Sequence, residues 1–409
     1  MESFAGTNAL FEIMHHNETR LELEFHKHRI IFTRTCPYVQ ASEQDKIHQN
    51  VPPHRSQTLP NPPGRHPRPN PLHRPPGPNE VLVKILAVSL NYRDTEVIQG
   101  LYNYYDALGT EKKPLVPCSD ACGVVVSVGP STSNANNTTW KVGDRVLSTF
   151  LQDHLTGQVT PDHLATGLGK PLDGVLQTYR VFPVTGLVKC PEYLTPEEGS
   201  CLPIAAVTAW MAINGMNAAA GSVRGKGETV LCQGTGGVSV SALQIAKASG
   251  AEVIITSSSD EKLQKAKKLG ADHTINYKTT PNWEESVMKL TNGHGVDIVI
   301  ETGGAGTLYK SLDCIAFGGL VSCIGYVSGR EDKADEARPN LNLLALRRTV
   351  TLKGIINGPR DRFEEMLRFY EEHKIHPIVD RVFSFEDAKE AVEYVASGSH
   401  FGKVVIKVN

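Results

Sequence analysis

The sequence predicts an α/β protein in two parts. One is a doubly wound parallel sheet with helices on both faces, and the other is a smaller barrel-like β domain. Three observations carry this. The stretch Val230–Ser259 reads strand, glycine turn, helix, strand. From Asp260 to about Ile356, strands and helices keep alternating, as they do in parallel sheets joined by crossover helices. Between Glu80 and Cys190, short apolar runs are separated by frequent turns, which suits a small barrel.

The Val230–Ser259 unit is the most informative. Val230, Leu231 and Cys232 form a short apolar strand, and Gly234, Gly236 and Gly237 follow at once. Val238, Leu243, Ile245 and Ala246 then recur at helical spacing up to Gly250. Val253, Ile254 and Ile255 make a second β-branched strand. Glycines at such a turn let the backbone approach a pyrophosphate, and the helix start offers free N–H groups and a positive dipole end. The unit therefore predicts dinucleotide binding.

Elsewhere the chain reads as follows. Residues 1–78 form a leader holding 8 of the 15 histidines, and Val51–Pro78 contains 11 prolines, four arginines and no acid. Such a segment has little apolar surface to bury and is expected to be disordered in part; only Arg20–Phe32 alternates like a strand or two. Residues 81–90 are a strand, Asn91–Asp94 starts a helix towards Gly100, and residues 124–129 and 141–147 supply further strands. Pro196–Asn214 reads as one helix, with Thr195 as cap and Glu198 as its capping-box partner. After Val230–Ser259 come helices at Asp260–Leu269, around Trp283–Leu290 and at Thr307–Phe317. Strands lie at 273–277, 296–301, 320–329 and 349–356. The chain closes with helices at Asp361–His373 and Glu386–Ser397 and strands near Arg381–Phe383 and Lys403–Val408.

Composition narrows the function classes. Net charge is −2 over 409 residues, which gives no electrostatic case for nucleic acid or an anionic membrane. No run approaches the ~20 apolar residues of a membrane span. The start of the chain has no basic region before an apolar one, and its eight cysteines form no C-x-x-C pair. Reduced thiols in a cytoplasmic protein that acts on a small molecule are the expectation.

With these motifs in order, the segment from Asn79 to Asn409 resembles the medium-chain dehydrogenase/reductase superfamily. The resemblance rests on SLNYRD (89–94), the P-x-S-D-x-x-G run at 117–123, KVGDRV (141–146), LPIAAVTAW (202–210), GTGGVS (234–239), KLGADHTINY (268–277), IGYVSG (324–329) and HFGKVVI (400–406). It implies a GroES-like domain from residues 79–206 and 358–409 and a Rossmann domain from 207–357. The active site would lie in the cleft between them, and the assembly would be a homodimer. Relatives begin with strands that complete the barrel. Here the proline-rich run stands in that place, so either residues 20–35 replace those strands or the barrel keeps an open edge.

In alcohol-oxidising members, two cysteines and a histidine hold a catalytic zinc. Those positions correspond here to Asn91, to Cys118-Ser119-Asp120 and to the neighbourhood of Ile204, which is no tight zinc set. The resemblance therefore points to the zinc-independent branch of quinone oxidoreductases and enoyl reductases. Hydride goes there to the β-carbon of a double bond conjugated to a carbonyl; donors stabilise the oxygen and a proton reaches the α-carbon. The residues carried over as catalytic are Tyr102, Asn91 and Tyr92. Those carried over at the cofactor's nicotinamide, adenine and phosphates are Thr208, Val238, Tyr277, Gly325, Tyr326 and Lys403, beside Gly234, Gly236 and Gly237.

The choice of cofactor follows from charge. NAD enzymes usually carry an acid about 20 residues past the glycines. Gly234 is followed 23 positions later by Ser257, with Ser258 beside it and Lys262 one turn on. Hydroxyls and a cation suit a 2′-phosphate, so NADP(H) is expected ahead of NAD(H), with no zinc. Two other readings stay open: a zinc-independent alcohol dehydrogenase of a specialised pathway, and an NADP-binding sensor or structural protein without turnover.

Overall fold

The computed structural model describes the strands within residues 13–33, and residues 74–102, 115–130, 140–215, 223–331 and 340–408. Much of the leader, including the proline-rich run before Arg74, lies outside them. Strands β1 (Ile13–His15), β2 (Arg20–Phe25) and β3 (His28–Thr33) form an antiparallel sheet of their own. They do not join the barrel sheet.

The barrel sheet begins with β4 (Glu80–Leu90), which pairs on both edges and has most of its residues buried. Helix α1 (Tyr92–Gln99) follows and stops at Gly100, which takes the left-handed conformation at φ 72°. Then come β5 (Asp120–Val128), β6 (Arg145–Ser148), a short α2 (Pro161–Leu164), β7 (Tyr179–Pro183) and β8 (Leu187–Lys189).

The helical run expected at Pro196–Asn214 is broken. It comprises α3 (Pro196–Ser200), a π-helical turn at Leu202–Ala206, and α4 (Val207–Asn214). Pro203 has no N–H to give the ladder. The Ile204 N–H turns aside to the carboxylate of Asp120, at 3.1 Å. The Thr195–Glu198 capping box forms as expected, with reciprocal bonds of 3.2 and 2.8 Å.

The second sheet contains β9 (Thr229–Cys232), β10 (Glu252–Ser257), β11 (His273–Asn276), β12 (Val296–Glu301), β13 (Ile315–Cys323) and β14 (Thr351–Gly354). Its order is β11-β10-β9-β12-β13-β14, and every pair is parallel. Helices α5 (Gly237–Ala248), α6 (Asp260–Lys268), α7 (Trp283–Leu290), α8 (Leu308–Cys314) and α9 (Leu341–Arg348) complete the unit. Helix α8 ends at Cys314 rather than Phe317. Ile315 is already extended and pairs with Val296, so the β13 strand starts earlier than its sequence suggests.

Helix α10 (Arg360–His373) buries Phe363, Met366 and Tyr370 in the same core as Trp210 and Val230. The chain then returns to the barrel sheet through β15 (Val379–Ser384), α11 (Ala388–Ala396) and β16 (Lys403–Lys407). Strand β16 pairs antiparallel with β4, so the C-terminus sits beside the residues that open α1. In the parallel sheet the order reverses between β9 and β12. That switch point is where the carboxyl ends of the strands open a ligand crevice.

Candidate active site

The site is built where β4, β16 and the π-helical turn meet. Leu90 ends β4, and Asn91 caps α1 with an extended backbone. The Asn91 N–H donates to the Asp94 carboxylate at 2.8 Å. Asp94 is buried, and that burial pushes its pKa up to about 6 against the pull of Arg93 and the Asn91 N–H.

From the first residue of β16, Lys403 reaches the same point. Its ammonium donates to the Leu90 carbonyl and to Asn91 Oδ1, both at 2.6 Å, and stands 3.9 Å from Asp120 Oδ2. Asp120 is fully buried and also accepts from Ser119 Oγ at 2.7 Å. Burial raises its pKa, and Lys403 is the largest opposing influence. Cys118, two residues earlier, sits at φ 69°, a left-handed backbone that favours glycine. The stem of Lys403 runs beneath Gly237. A Cβ there would fall 2.5 Å from Lys403 Cδ and 3.2 Å from Ala205 Cβ, so only glycine fits.

A cavity of about 640 Å³ opens above this cluster. Asn91, Tyr92 and Tyr102 line it on the barrel side. Thr208, Gly237, Val238, Gly325, Tyr326 and Lys403 line it on the side of the parallel sheet. Tyr102 is buried, with the Arg93 guanidinium 4.8 Å from its ring centre; the same guanidinium lies 4.8 Å from the Phe150 ring. Thr208 accepts from Asn357 Nδ2 at 3.3 Å, and that amide also holds the Pro203 carbonyl of the π-helical turn at 3.1 Å. Tyr92 is half-exposed at the cavity wall.

The other expected cofactor residues gather at a second point, near the end of β10. Gly234 takes φ 74°, and Gly236 caps α5. Ser257 is buried, with its hydroxyl 3.4 Å from Thr235 Oγ1. Ser258 is half-buried next to Ser259, the cap of α6, and Lys262 donates to the Gly398 carbonyl at 2.7 Å. Tyr277 is exposed and joined through its N–H to the Ser257 carbonyl at 3.0 Å. Asp260, the nearest acid, accepts from Asn276 at 2.7 Å.

Several residues that sequence reasoning passed over belong to the cavity. Glu96 is buried on α1, accepts from the Tyr326 hydroxyl at 2.6 Å and pairs with Arg330. This ties the loop after β13 to the barrel side of the cleft. His154 and His400 also line the cavity, each with a buried Nδ1 that has no partner among the described residues. Their signal in the sequence was weak, because seven histidines follow the leader and no local pattern sets these two apart.

The residues suit a dinucleotide. No side chain caps the N-terminus of α5, and its first residues, Gly237 and Val238, form cavity wall. That leaves N–H groups for an anionic diphosphate. They do not suit zinc. Around the place where the dehydrogenases put their ligands stand an amide, one carboxylate and a main-chain N–H, with a lysine ammonium among them. Zinc takes thiolate, imidazole or carboxylate in a tetrahedral set. Among the described residues, no three His, Cys, Asp or Glu side chains are grouped so as to hold a metal.

Residues 77–192 match the Alcohol dehydrogenase GroES-like domain family, and residues 237–372 match the Zinc-binding dehydrogenase family. A zinc-type alcohol dehydrogenase-like protein of Schizosaccharomyces pombe is 44% identical over 335 residues, covering 81% of this chain and 92% of the relative. An acryloyl-coenzyme A reductase of Sulfurisphaera tokodaii is 31% identical over 338 residues, covering 81% and 93%. A mycobacterial protein solved in complex with NADPH superposes with a TM-score of 0.63 at 25% identity, covering 84% of this chain and 95% of its own. With two matched domains in order and relatives aligned over nearly their whole length, the chain belongs to the medium-chain dehydrogenase/reductase superfamily of oxidoreductases.

Proposed function

We propose that this oxidoreductase is an NADPH-dependent, zinc-independent reductase of a carbonyl-conjugated double bond or a quinone. The observation that carries the proposal is the Lys403 ammonium, which lies between Asn91 and Asp120, where the family's zinc-dependent members hold their metal. Oxidation of an unactivated alcohol without a Lewis acid loses its main electrostatic help. Reduction of an activated double bond needs only donors at the carbonyl oxygen and a proton for the α-carbon.

When bound, a reduced nicotinamide supplies the hydride. The protein's own part is to bind, orient and protonate. The first turn of α5 holds the diphosphate. Ser257, Ser258 and Lys262 answer a 2′-phosphate, and the absence of a free acid at the end of β10 avoids repelling it. Thr208, Gly325 and Tyr326 line the nicotinamide end. The Tyr102 hydroxyl supplies the proton or steadies the enolate, its ring held against Arg93. The acryloyl-coenzyme A reductase relative and the NADPH-bound structural neighbour agree with this acceptor class and this cofactor. Seven described cysteines are free thiols, in keeping with a cytoplasmic enzyme.

The test is a pair of panels. Purified protein with NADPH is offered enones, enoyl thioesters and quinones; with NADP⁺ it is offered alcohols. Turnover confined to the first panel supports the proposal. Turnover confined to the alcohols, in line with the name of the Schizosaccharomyces pombe relative, replaces it with the dehydrogenase reading.

A further inference from the structure

We propose that His400 is a ligand for the cofactor's diphosphate and takes up a proton when the dinucleotide binds. The inference rests on the dinucleotide reading of the cleft given above. His400 lies in the short loop between α11 and β16, and that loop lies against the glycine turn. Gly402 donates to the Thr235 carbonyl at 3.0 Å, and Gly236 and Gly402 are bridged. The loop is therefore held at the N-terminal end of α5, and His400 lines the same cavity as Gly237 and Lys403.

Its surroundings make it an anion site that stands partly uncharged. Lys262 on α6 and Lys403 on β16 both oppose a charge on the ring, and Asp380 on β15 favours it. Asp380 is itself engaged by the Tyr394 hydroxyl at 2.7 Å, and the Tyr394 ring lies 6.3 Å from the imidazole. Nδ1 is buried without a partner among the described residues. Burial and the two lysines hold the pKa down at about 4, so the ring is neutral in the free protein near pH 7. A diphosphate against α5 reverses the local field. Its oxygens favour the imidazolium, which then supplies a charge-assisted hydrogen bond. Proton uptake follows by linkage, and the nucleotide binds more tightly as pH falls towards the free protein's value.

The experiment is titration calorimetry of the full chain with NADP⁺, and separately with NAD⁺, between pH 5.5 and 8. It is run in two buffers of different ionisation enthalpy, which gives the protons taken up. The variants are His400→Gln and His400→Lys, each checked by thermal melting. The wild type is expected to take up close to one proton at pH 5.5, and its Kd should tighten by up to tenfold per pH unit over the range where uptake occurs. His400→Gln should lack this uptake, and His400→Lys should bind without it. Titration of the 2′-phosphate is common to all three proteins and cancels in the differences. Uptake with NAD⁺ as well as NADP⁺ assigns the contact to the diphosphate. Uptake with NADP⁺ alone moves it to the 2′-phosphate and overturns the assignment. If His400→Gln binds with the wild-type uptake and pH slope, the inference fails while the cofactor reading stands. If neither nucleotide binds the wild type, the cofactor reading itself fails.

Discussion

Replacing Lys403 by methionine keeps the stem beneath Gly237 and removes the ammonium. Two charge-assisted hydrogen bonds of 2.6 Å, to Leu90 O and Asn91 Oδ1, disappear, and the buried Asp120 loses its nearest cation. Hydrogen bonds to charged groups are worth ~1.5–3 kcal/mol each, and breaking a buried charge pair costs ~3–5 kcal/mol. Burying the lysine carries a desolvation cost that the variant escapes, so a net loss of about 3 kcal/mol at pH 8 is expected. In a chain of this length, that lowers Tm by about 3–6 °C. The pH dependence carries the specific signature. Asp120 already titrates above its ordinary value because of burial, and Lys403 is the largest influence holding it down. Without Lys403 its folded pKa rises further. A carboxyl raised in the folded state contributes stability below its unfolded pKa and loses it as pH rises through the folded value. The deficit of Lys403→Met relative to wild type should therefore shrink when thermal melts move from pH 8 to pH 5. An equal or larger deficit at pH 5, or no deficit at all, would refute the claim that Lys403 compensates Asp120.

Three further outcomes are expected. Asp94, raised from 3.8 to about 6, disfavours folding above that pH by roughly 3 kcal/mol. Asp94→Asn should therefore flatten the wild type's loss of Tm between pH 4 and 7 and raise Tm at pH 8, as followed by calorimetry. Lys262→Ala should weaken NADP⁺ binding about tenfold and leave NAD⁺ unchanged, measured by fluorescence titration. Tyr102→Phe should lower kcat for the accepted enone or quinone by ~10–100-fold with an unchanged NADPH Kd; an unaltered kcat would remove Tyr102 from the chemistry.

Local pattern made much of the parallel sheet legible. The Trp283–Leu290 helix and the Val296–Glu301 strand have the bounds their periodicity suggests, because the helix buries Trp283 and Val287 in one core and the strand lies between that core, through Val296 and Val299, and a second one, through Ile298 and Ile300. The glycine turn likewise announced its own geometry. What pattern could not supply were long-range polar contacts. The break in Pro196–Asn214 depends on Asp120, 84 positions away, accepting the Ile204 N–H. The Lys403–Asn91 contact joins residues 312 apart, and the Glu96–Tyr326 bond spans 230. None leaves a periodic trace. The end of α8 at Cys314 was hidden for a related reason. Ile315 and Phe317 suit a helix face as well as a strand, and pairing with β12 decides between them.

We propose that a protein cation, not a metal, occupies the heart of the site. The rate of NADPH-dependent reduction of an accepted enone or quinone, measured before and after exhaustive chelation and again after zinc is added back, tests this. The rate should be the same in all three states. Loss on chelation with recovery on zinc would contradict it.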